Sequence, residues 1–404
     1  MINIKGSKLR NKPVILALFM ALWMGSTLFS LDVVLEQYYP HYDPNGNEVF
    51  WVGDDTILIN FPDGYSSKIL LLNIYTKKGK IIKLQPEVHD EKDYYTILAI
   101  DQEQQKFIFN YYVGKSPWNR IKNTYYKDAY YEYDVASGTM TELVTNIEAF
   151  KDFKKGETYF LDLRYYFKYK YDKNARLTSL VKWDRYTGNE EVVFVQKQKD
   201  DIFIYNVYDY DRFRNVLLAK GEIYRSYLVH YDGTTCGEPI ETTYTAYSSN
   251  RLVWGKYILG FGKISAGPFI SSVALWSSTT KQPQEIPDLY TIDDSNKTKV
   301  FAVNHRTNQI AVVGFYDRKK FEPGLYIYRV LVDGEINDDR VRYRSGPSTS
   351  AEILGMFNKH DKVKVIELSK EKAVIDGQEH YWYKVRLQDG RDVWVYGAYL
   401  TIME

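Results

Sequence analysis

The histidines and carboxylates, which are the side chains best suited to acid–base and metal chemistry, are scattered along this chain. No two histidines have the i, i+4 or short-loop spacing that places two imidazoles on one metal ion. The six are His41, His89, His230, His305, His360 and His380. Acidic pairs such as Asp54-Asp55 lie in turn-rich sequence, where carboxylates commonly accept backbone amide hydrogens. The sequence therefore predicts no catalytic residue, no metal site and no cofactor, although distant residues could still be gathered by the fold.

The two side chains with nucleophilic character also lack a catalytic context. Ser265 lies in a glycine-containing stretch, but Lys263 stands where a nucleophile elbow has glycine. Cys236 is the only cysteine, so no intramolecular disulfide can form. Its expected role is that of a small buried or turn-side residue.

The most distinctive chemistry lies near the C-terminus, where aromatic residues and arginines are interleaved. Rings of this kind could line a peptide groove, because apolar parts of a peptide stack on them while a guanidinium pairs with a carboxylate. The candidate ligand-binding residues are Arg342, Tyr343, Arg344, Trp382, Trp394, Tyr396 and Tyr399. The alternative is that most of these rings form a hydrophobic core.

The elements around these residues have the pattern of short antiparallel strands. Apolar and polar residues alternate through Lys362–Leu368 and Trp382–Leu387. Ser345-Gly346-Pro347 and Asp389-Gly390 are typical turn sequences. The pattern predicts a small antiparallel β-barrel at the C-terminal end.

The order of these pieces also resembles the bacterial SH3 domain (SH3b). The resemblance rests on Arg344–Ser348, Trp382–Val385 and Trp394–Leu400. His360 and Val393 stand where the family commonly has glycine. The resemblance implies an interaction module whose partner is a cell-wall (peptidoglycan) peptide or an envelope protein.

Upstream, an aromatic-rich hairpin recurs at intervals of 59, 50, 48, 45 and 52 residues, counted from Ile74 through Tyr133, Trp183, Tyr231, Trp276 and Tyr328. With 38 Tyr, 19 Phe and 8 Trp, the chain favours strands. An all-β repeat of this length is typical of a β-propeller, and the hairpins resemble those of WD-repeat-like propellers of bacterial envelope proteins. Six blades are expected. Seven is the alternative, because Tyr38–Asn60 holds strands that belong either to a blade or to the closure of the ring.

The N-terminal segment has the pattern of an export signal. A cationic region is followed by the uncharged apolar run Val14–Leu31, which predicts cleavage near Ser30 or, alternatively, an uncleaved anchor. Contact with a membrane is expected only in the second case. Lys and Arg total 53 against 52 Asp and Glu, so no nucleic-acid partner is expected.

Together these patterns predict an all-β protein: a signal segment at 1–30, a propeller at 31–336 and an SH3-like barrel at 337–404. The expected function is that of an exported binding or scaffold protein of the periplasm or cell envelope. The alternative is an envelope hydrolase or lyase with its active site in the propeller and the barrel as a targeting module. A funnel lined by several carboxylates would favour that alternative, whereas an aromatic and mixed polar lining would favour binding.

Overall fold

The chain is built from β-strands, which confirms the all-β prediction. The computed structural model describes residues 31–40, 42, 48–63, 66–82, 92–114, 125–143, 162–197, 206–220, 225–231, 234–235, 240–241, 251–266, 270–277, 283–292, 300–316 and 322–403. Among them, no helix is long and apolar enough to cross a bilayer. The predicted export signal and Cys236 lie outside the described residues.

The described chain divides into two compact units. The larger unit comprises Gln37–His305 and Ile310–Ile327. The C-terminal unit comprises Arg306–Gln309, Tyr328–Glu404 and the described part of Met1–Glu36. Strands β1 (Leu31–Pro40) and β23 (Glu322–Ile336) contribute residues to both units.

Most of the larger unit consists of successive antiparallel sheets, in each of which neighbouring strands follow one another in the sequence. The first contains β2 (Glu48–Trp51), β3 (Thr56–Asp63), β4 (Ser66–Asn73) and β5 (Gly79–Ile82). The second contains β6 (Lys92–Asp101), β7 (Lys106–Gly114), β8 (Tyr125–Asp134) and β9 (Met140–Leu143). The third contains β10 (Tyr165–Asp172), β11 (Leu177–Asp184) and β12 (Glu190–Lys197).

The later sheets repeat the same order. The fourth contains β13 (Asn206–Asp211), β14 (Val216–Lys220), β15 (Arg225–His230) and β16 (Ile240–Glu241). Next come β17 (Arg251–Val253), β18 (Tyr257–Ala266), β19 (Ile270–Ser277) and β20 (Pro283–Ile292). After them β21 (Phe301–Asn304) pairs with β22 (Gln309–Tyr316), which pairs with β23.

The recurring hairpins of the sequence form equivalent turns. At the ends of β4, β8 and β11, the side chains of Asn73, Asp134 and Asp184 accept hydrogen bonds from backbone amides two or three residues later. The turns then pass through a positive φ at Lys77 (56°), Gly138 (71°) and Gly188 (72°). The repeat in the sequence is therefore a repeat of one Asx-type turn.

Several sheets of the larger unit pack face to face with the next sheet in the chain. One buried cluster joins Phe50 and Leu58 of the first sheet to Phe107 and Phe109 of the second. Further clusters join the third sheet to the fourth and the fourth to the β17–β20 sheet. Another joins the first sheet to strands β21 to β23, and Asn304 there donates a hydrogen bond to the carbonyl of Gly53 at 3.2 Å. Contact of the first sheet with the last strands of the unit is the arrangement of a propeller-like ring.

Strand β1 pairs with β23. In the larger unit, the ring of Tyr38 stacks on Tyr326 at 4.9 Å between centroids. The sequence left open how Tyr38–Asn60 is used. In the structure, β1 extends the strands that end the repeat, whereas β2 and β3 belong to the first sheet.

The C-terminal unit is a small barrel of short strands. It contains β24 (Val341–Arg344), β25 (Ile353–Phe357), β26 (Lys362–Ile375), β27 (Gln378–Arg386), β28 (Asp392–Tyr396), a 3-10 turn at Gly397–Tyr399 and β29 (Leu400–Ile402). The end of β23 pairs with both β26 and β29. His360 has a φ of 72°, the left-handed conformation for which glycine is usually selected. His360 therefore adopts the backbone conformation that a glycine would adopt in this turn.

Candidate functional site

Two of the predicted groove aromatics belong to the core of the C-terminal unit. Trp382 and Tyr396 are each 3% exposed, and their rings lie 5.4 Å apart. The hydroxyl of Tyr396 donates to the carbonyl of Ala373 at 2.8 Å and accepts from the amide of His380 at 3.1 Å. This hydroxyl therefore ties β28 to the hairpin formed by β26 and β27.

The residues predicted around the opening strand have mixed surroundings. The half-buried ring of Tyr343 packs 4.7 Å from Phe357 and covers Gly355, where a Cβ would lie 2.2 Å from the tyrosine oxygen. Arg344 Nη1 donates to the carbonyl of Ala351 at 2.7 Å, and the strand position of Arg344 is paired with half-buried Trp394. The side chain of Arg342 is exposed. A ligand-binding role for these residues stays a prediction.

A cavity of about 280 Å³ lies elsewhere in the same unit, and two of the seven predicted residues, Tyr396 and Tyr399, line it. The other lining residues are Asn337, Asp338, Ile375, Asp376, Gln378 and Ala398. We call this the acidic cavity. It combines aromatic, amide and carboxylate groups within one small concave surface.

Two local structures form its walls. Asp376 and Gly377 have φ values of 52° and 79° and connect paired Ile375 and Gln378, which is the geometry of a type I′ hairpin turn. The opposite wall is the 3-10 turn, where a Cβ on Gly397 would lie 2.7 Å from the carbonyl of Tyr381. The Asp376-Gly377 dipeptide is a sequence signal for the hairpin turn that forms the first of these walls. Asp376 was not among the residues predicted from the sequence to bind a ligand.

The second wall is fastened by Asn337. Its backbone amide donates to the carbonyl of Tyr399 at 3.1 Å, and its side-chain amide donates to the carbonyl of Ala398 at 3.1 Å. These bonds fix the 3-10 turn beside Asp338. Tyr399 is held there next to Tyr396, with 6.2 Å between the ring centroids.

The acidic cavity has the electrostatics of a site for a positively charged group. Asp338 and Asp376 contribute carboxylates, and its described lining contains no lysine or arginine. Asp376 is exposed and makes no hydrogen bond or ion pair with the described residues. The ring of Tyr399 adds a face on which an ammonium group can rest. The arrangement therefore suits an amine better than a carboxylate.

The larger unit contains a second cavity, of about 120 Å³, which we call the central cavity. The first strands of successive sheets supply most of its lining. Its polar groups include Asp162, Asp209, Arg251 and His305, which are distant in the sequence. Phe50, Trp51, Tyr208, Tyr210 and Phe301 provide aromatic walls.

An ion pair connects two of these groups, since His305 Nε2 lies 3.4 Å from Asp209 Oδ1. Burial by itself would lower the pKa of His305, but the Asp209 and Asp211 carboxylates outweigh it and raise that pKa. Burial by itself would raise the pKa of Asp209, but His305, Arg251 and the amide of Leu252 hold it below its ordinary value. Each partner therefore favours the charged form of the other. Sequence reasoning missed it, because 96 residues separate its members.

Asp162 is different, because burial raises its pKa to about 6. Hydrogen bonds from the backbone amides of Tyr165 and Arg164 oppose this effect, and the nearby charge of Asp101 adds to it. The lining of the central cavity contains two carboxylates, Asp162 and Asp209, and Asp209 is paired with His305. The lining is mixed polar and aromatic. Among the described residues, no group of three or more His, Cys, Asp and Glu side chains could hold a metal ion.

The structure thus defines an all-β chain in which propeller-like sheets are followed by a small SH3-like barrel. Residues 339–401 match the family of bacterial SH3 domains, which confirms the resemblance seen in the sequence. The match lies within the C-terminal unit and leaves most of the chain outside it. No curated protein sequence matches the chain.

Solved propeller structures resemble the chain over most of its length. The WD40 β-propeller domain of Doa1 is 11% identical, with a TM-score of 0.32, and covers 73% of this chain and 96% of that domain. TolB from Acinetobacter baumannii is 9% identical, with a TM-score of 0.25, and covers 83% of this chain and 78% of that one. Likenesses at this level carry no argument about ligand or activity. The propeller-like description rests on the sheets themselves.

Proposed function

We propose that this protein is an exported binding or scaffold protein of the cell envelope, and that its SH3-like barrel binds a cell-wall peptide or an envelope protein. The acidic cavity is the observation that carries the proposal. All of its lining residues except Asn337 and Asp338 lie in the part of the chain that matches bacterial SH3 domains, and they include Tyr396 and Tyr399, two of the residues expected to bind ligand. Bacterial SH3 domains mostly serve as interaction modules of this kind.

The chemistry of the acidic cavity suggests which part of a peptide enters it. A free ammonium group can approach both Asp338 and Asp376, whose carboxylates form charge-assisted hydrogen bonds. The ring of Tyr399 then contacts the adjoining carbon chain. Exposed Arg342 remains available to pair with a carboxylate at another position of the peptide.

The larger unit is proposed to be a six-bladed propeller. The strand groups support six blades, because five sheets between β2 and β20 are followed by a last group formed by β21, β22, β23 and β1. Seven blades remain the alternative. Residues 1–30 are proposed to direct export, either as a cleaved signal or as an anchor.

The test is a pull-down of the protein with purified peptidoglycan and, in parallel, with envelope extract. Asp376→Asn removes one charge of the cavity and keeps the turn, because Asn-Gly favours the same type I′ geometry. Asp389→Asn is the matched control, since this exposed aspartate pairs with Arg391 in another turn. Loss of binding in Asp376→Asn alone is expected.

Two other outcomes of this assay would count against the proposal. Equal binding by both variants would exclude the acidic cavity as the binding site. Release of soluble fragments from the peptidoglycan, abolished by Asp162→Asn, would instead favour the hydrolase or lyase alternative. Asp162 lines the central cavity of the larger unit, and burial raises its pKa to about 6, a value suited to a general acid or base.

A further inference from the structure

Strand β12 of the third sheet has an edge that pairs with no other described strand. The sheet has the order β10, β11 and β12, so β12 is bonded on one side to β11. The last strands of the first two sheets, β5 and β9, have four residues each, whereas β12 has eight. Proteins usually keep such edges short, because their unpaired amides and carbonyls can pair with another chain. The length of β12 sets it apart from the equivalent strands.

The strand also exposes apolar side chains. Val192 and Val195 are 59% and 51% exposed. Strands β5 and β9, in contrast, expose no large apolar side chain. Val193 and Phe194, between the two valines, are buried in a cluster that includes residues of the fourth sheet. The middle of β12 is therefore anchored in the larger unit, while the flanking valines face solvent.

A β-bulge lies at the middle of β12. Val192 is opposite Val181 of β11, and Phe194 is opposite Leu180, so Val193 is an extra residue with no opposite partner. In a regular strand, two residues that are three positions apart point to opposite faces of the sheet. The extra residue reverses this relation for the residues on either side of it.

The bulge thereby brings four exposed side chains to one face of β12, which are those of Glu190, Val192, Val195 and Lys197. Their opposite residues on β11 are, in the same order, Trp183, Val181, Ser179 and Leu177. These alternate along β11 and so share one face, and residues directly opposite each other in an antiparallel pair lie on the same face. We call these four side chains of β12 the edge face.

The edge face is complementary to itself. When two copies of β12 run antiparallel about a two-fold axis at the middle of the strand, Glu190 of one copy lies opposite Lys197 of the second copy. Val192 then lies opposite Val195, and the symmetry repeats both pairs. Pairs of opposite charge and pairs of β-branched residues both favour association when they lie directly across two strands. The bulge falls at the same place in both copies, so it preserves this register.

Glu190 can accept a further cation. Lys168 Nζ lies 2.7 Å from one of its oxygens, and Lys170 pairs with the other. The side chain of Glu190 nevertheless remains 38% exposed, and a carboxylate has about four acceptor positions. Lys168 and Lys170 belong to β10, which β11 separates from the edge. The carboxylate of Glu190 is therefore closer than these lysines to a Lys197 that arrives at the edge.

We propose that the protein forms a symmetric dimer in which the β12 strands of two copies pair antiparallel and their edge faces meet. The self-complementary order of the four side chains favours a second copy of this chain over a strand of another protein. The contact is small, so the dimer is expected to dissociate on dilution. It does not involve the acidic cavity, and either proposal can fail without the other.

Sedimentation velocity of the full-length protein over a range of concentrations tests the association. We expect the wild type to shift from monomer to dimer as the concentration rises. Val192→Lys should weaken the dimer at least tenfold, because it places a lysine against Val195 in both symmetric pairs. Val374→Lys is the matched control, since Val374 is a valine of the C-terminal unit that is 69% exposed, and it should associate as the wild type does.

The charge pairs give a separate readout. Lys197→Glu turns both attractive pairs into repulsive ones, so we expect about tenfold weaker association at low salt. Added salt should reduce this difference, because it screens exposed charges. Circular dichroism of each variant confirms that a change in association does not come from unfolding.

Disulfide cross-linking tests the register without changing any charge. In a Cys236→Ser background, which removes the only cysteine, Val192→Cys is mixed with Val195→Cys and oxidised. Directly opposite residues have Cα atoms about 4.5–5.5 Å apart, within reach of a disulfide. We expect a covalent dimer from the mixture. Neither variant alone should cross-link, because two copies of one position lie about 10 Å apart along the strands.

Three results would overturn the proposal. A wild type that stays monomeric at every concentration would mean that the edge of β12 does not pair with a second copy. Equal association of Val192→Lys, Val374→Lys and wild type would place any dimer contact elsewhere in the chain. Cross-linking of the mixture no faster than of each cysteine variant alone would exclude the antiparallel register.

Discussion

Replacement of Glu36 tests how β1 is held against β23. Glu36 Oε1 lies 2.5 Å from Nε of Arg329, and Glu36 Oε2 accepts from Gln309 Nε2 at 2.7 Å. Arg329 is buried, with its side chain 9% exposed, and it also donates to the carbonyl of Thr307 at 2.8 Å. Its next carboxylate, Glu367, is 3.9 Å away. Glu36→Gln would therefore leave a buried guanidinium without its closest counter-charge.

The expected loss of unfolding free energy follows from this burial. Removing one partner of a fully buried ion pair costs about 3–5 kcal/mol. The side chain of Glu36 is 26% exposed, and glutamine can still accept a hydrogen bond, so we expect about 2 kcal/mol. In a unit of this size that loss lowers the Tm by roughly 8–16 °C.

Asp32→Asn provides a control on the same strand. Asp32 pairs with Lys364, but both side chains are substantially exposed, so its removal should cost only about 0–0.5 kcal/mol. Chemical denaturation of both variants, followed by circular dichroism, gives the two free energies. Equal stability of Glu36→Gln and wild type would refute the reasoning, and so would equal losses in the two variants.

Three further predictions concern the carboxyl group of Asp162, the domain boundary and the opening strand of the barrel. Burial raises the pKa of Asp162 to about 6, above its unfolded value of about 4, so the folded protein loses stability as the pH rises from about 4 to 6. Asp162→Asn should lack this loss, and identical Tm–pH curves would contradict it. The boundary near Asn337 stays a prediction: a fragment of residues 337–404 should give dispersed amide NMR signals, and one of residues 328–404, which retains the end of β23, should melt higher. Collapsed signals from the shorter fragment alone would move the boundary upstream. Tyr343→Ala and Arg344→Ala are predicted to weaken peptidoglycan binding by about 1–3 kcal/mol without unfolding the barrel, and unchanged binding by both folded variants would remove the opening strand from the site.

The sequence was sufficient for the fold class and for the hairpin repeat because both depend on local patterns. Asn73, Asp134 and Asp184 each cap the same kind of turn, so the spacing of the repeat reflects a local hydrogen bond. The bacterial SH3 resemblance is likewise carried by short contiguous stretches of strand and turn. Such features are visible without knowledge of tertiary contacts.

The sites were harder to predict because they depend on contacts between distant residues. Trp382 and Tyr396 are residue types that commonly line a binding groove, yet both are buried. Alternation alone does not show which face of a barrel strand points inward. Asp338 and Asp376 reach one cavity from two separate turns. His305 and Asp209 meet because the fold brings β13 and the turn after β21 to the central cavity.

The most direct test of the account is an NMR titration of ¹⁵N-labelled full-length protein with a soluble peptidoglycan stem peptide that carries a free amino group. We predict saturable shifts concentrated at residues 375–378 and 396–399, which disappear when the amino group is acetylated. Absence of any shift at saturating peptide, or shifts confined to the larger unit, would contradict the proposal that the acidic cavity of the SH3-like barrel binds the cell-wall peptide.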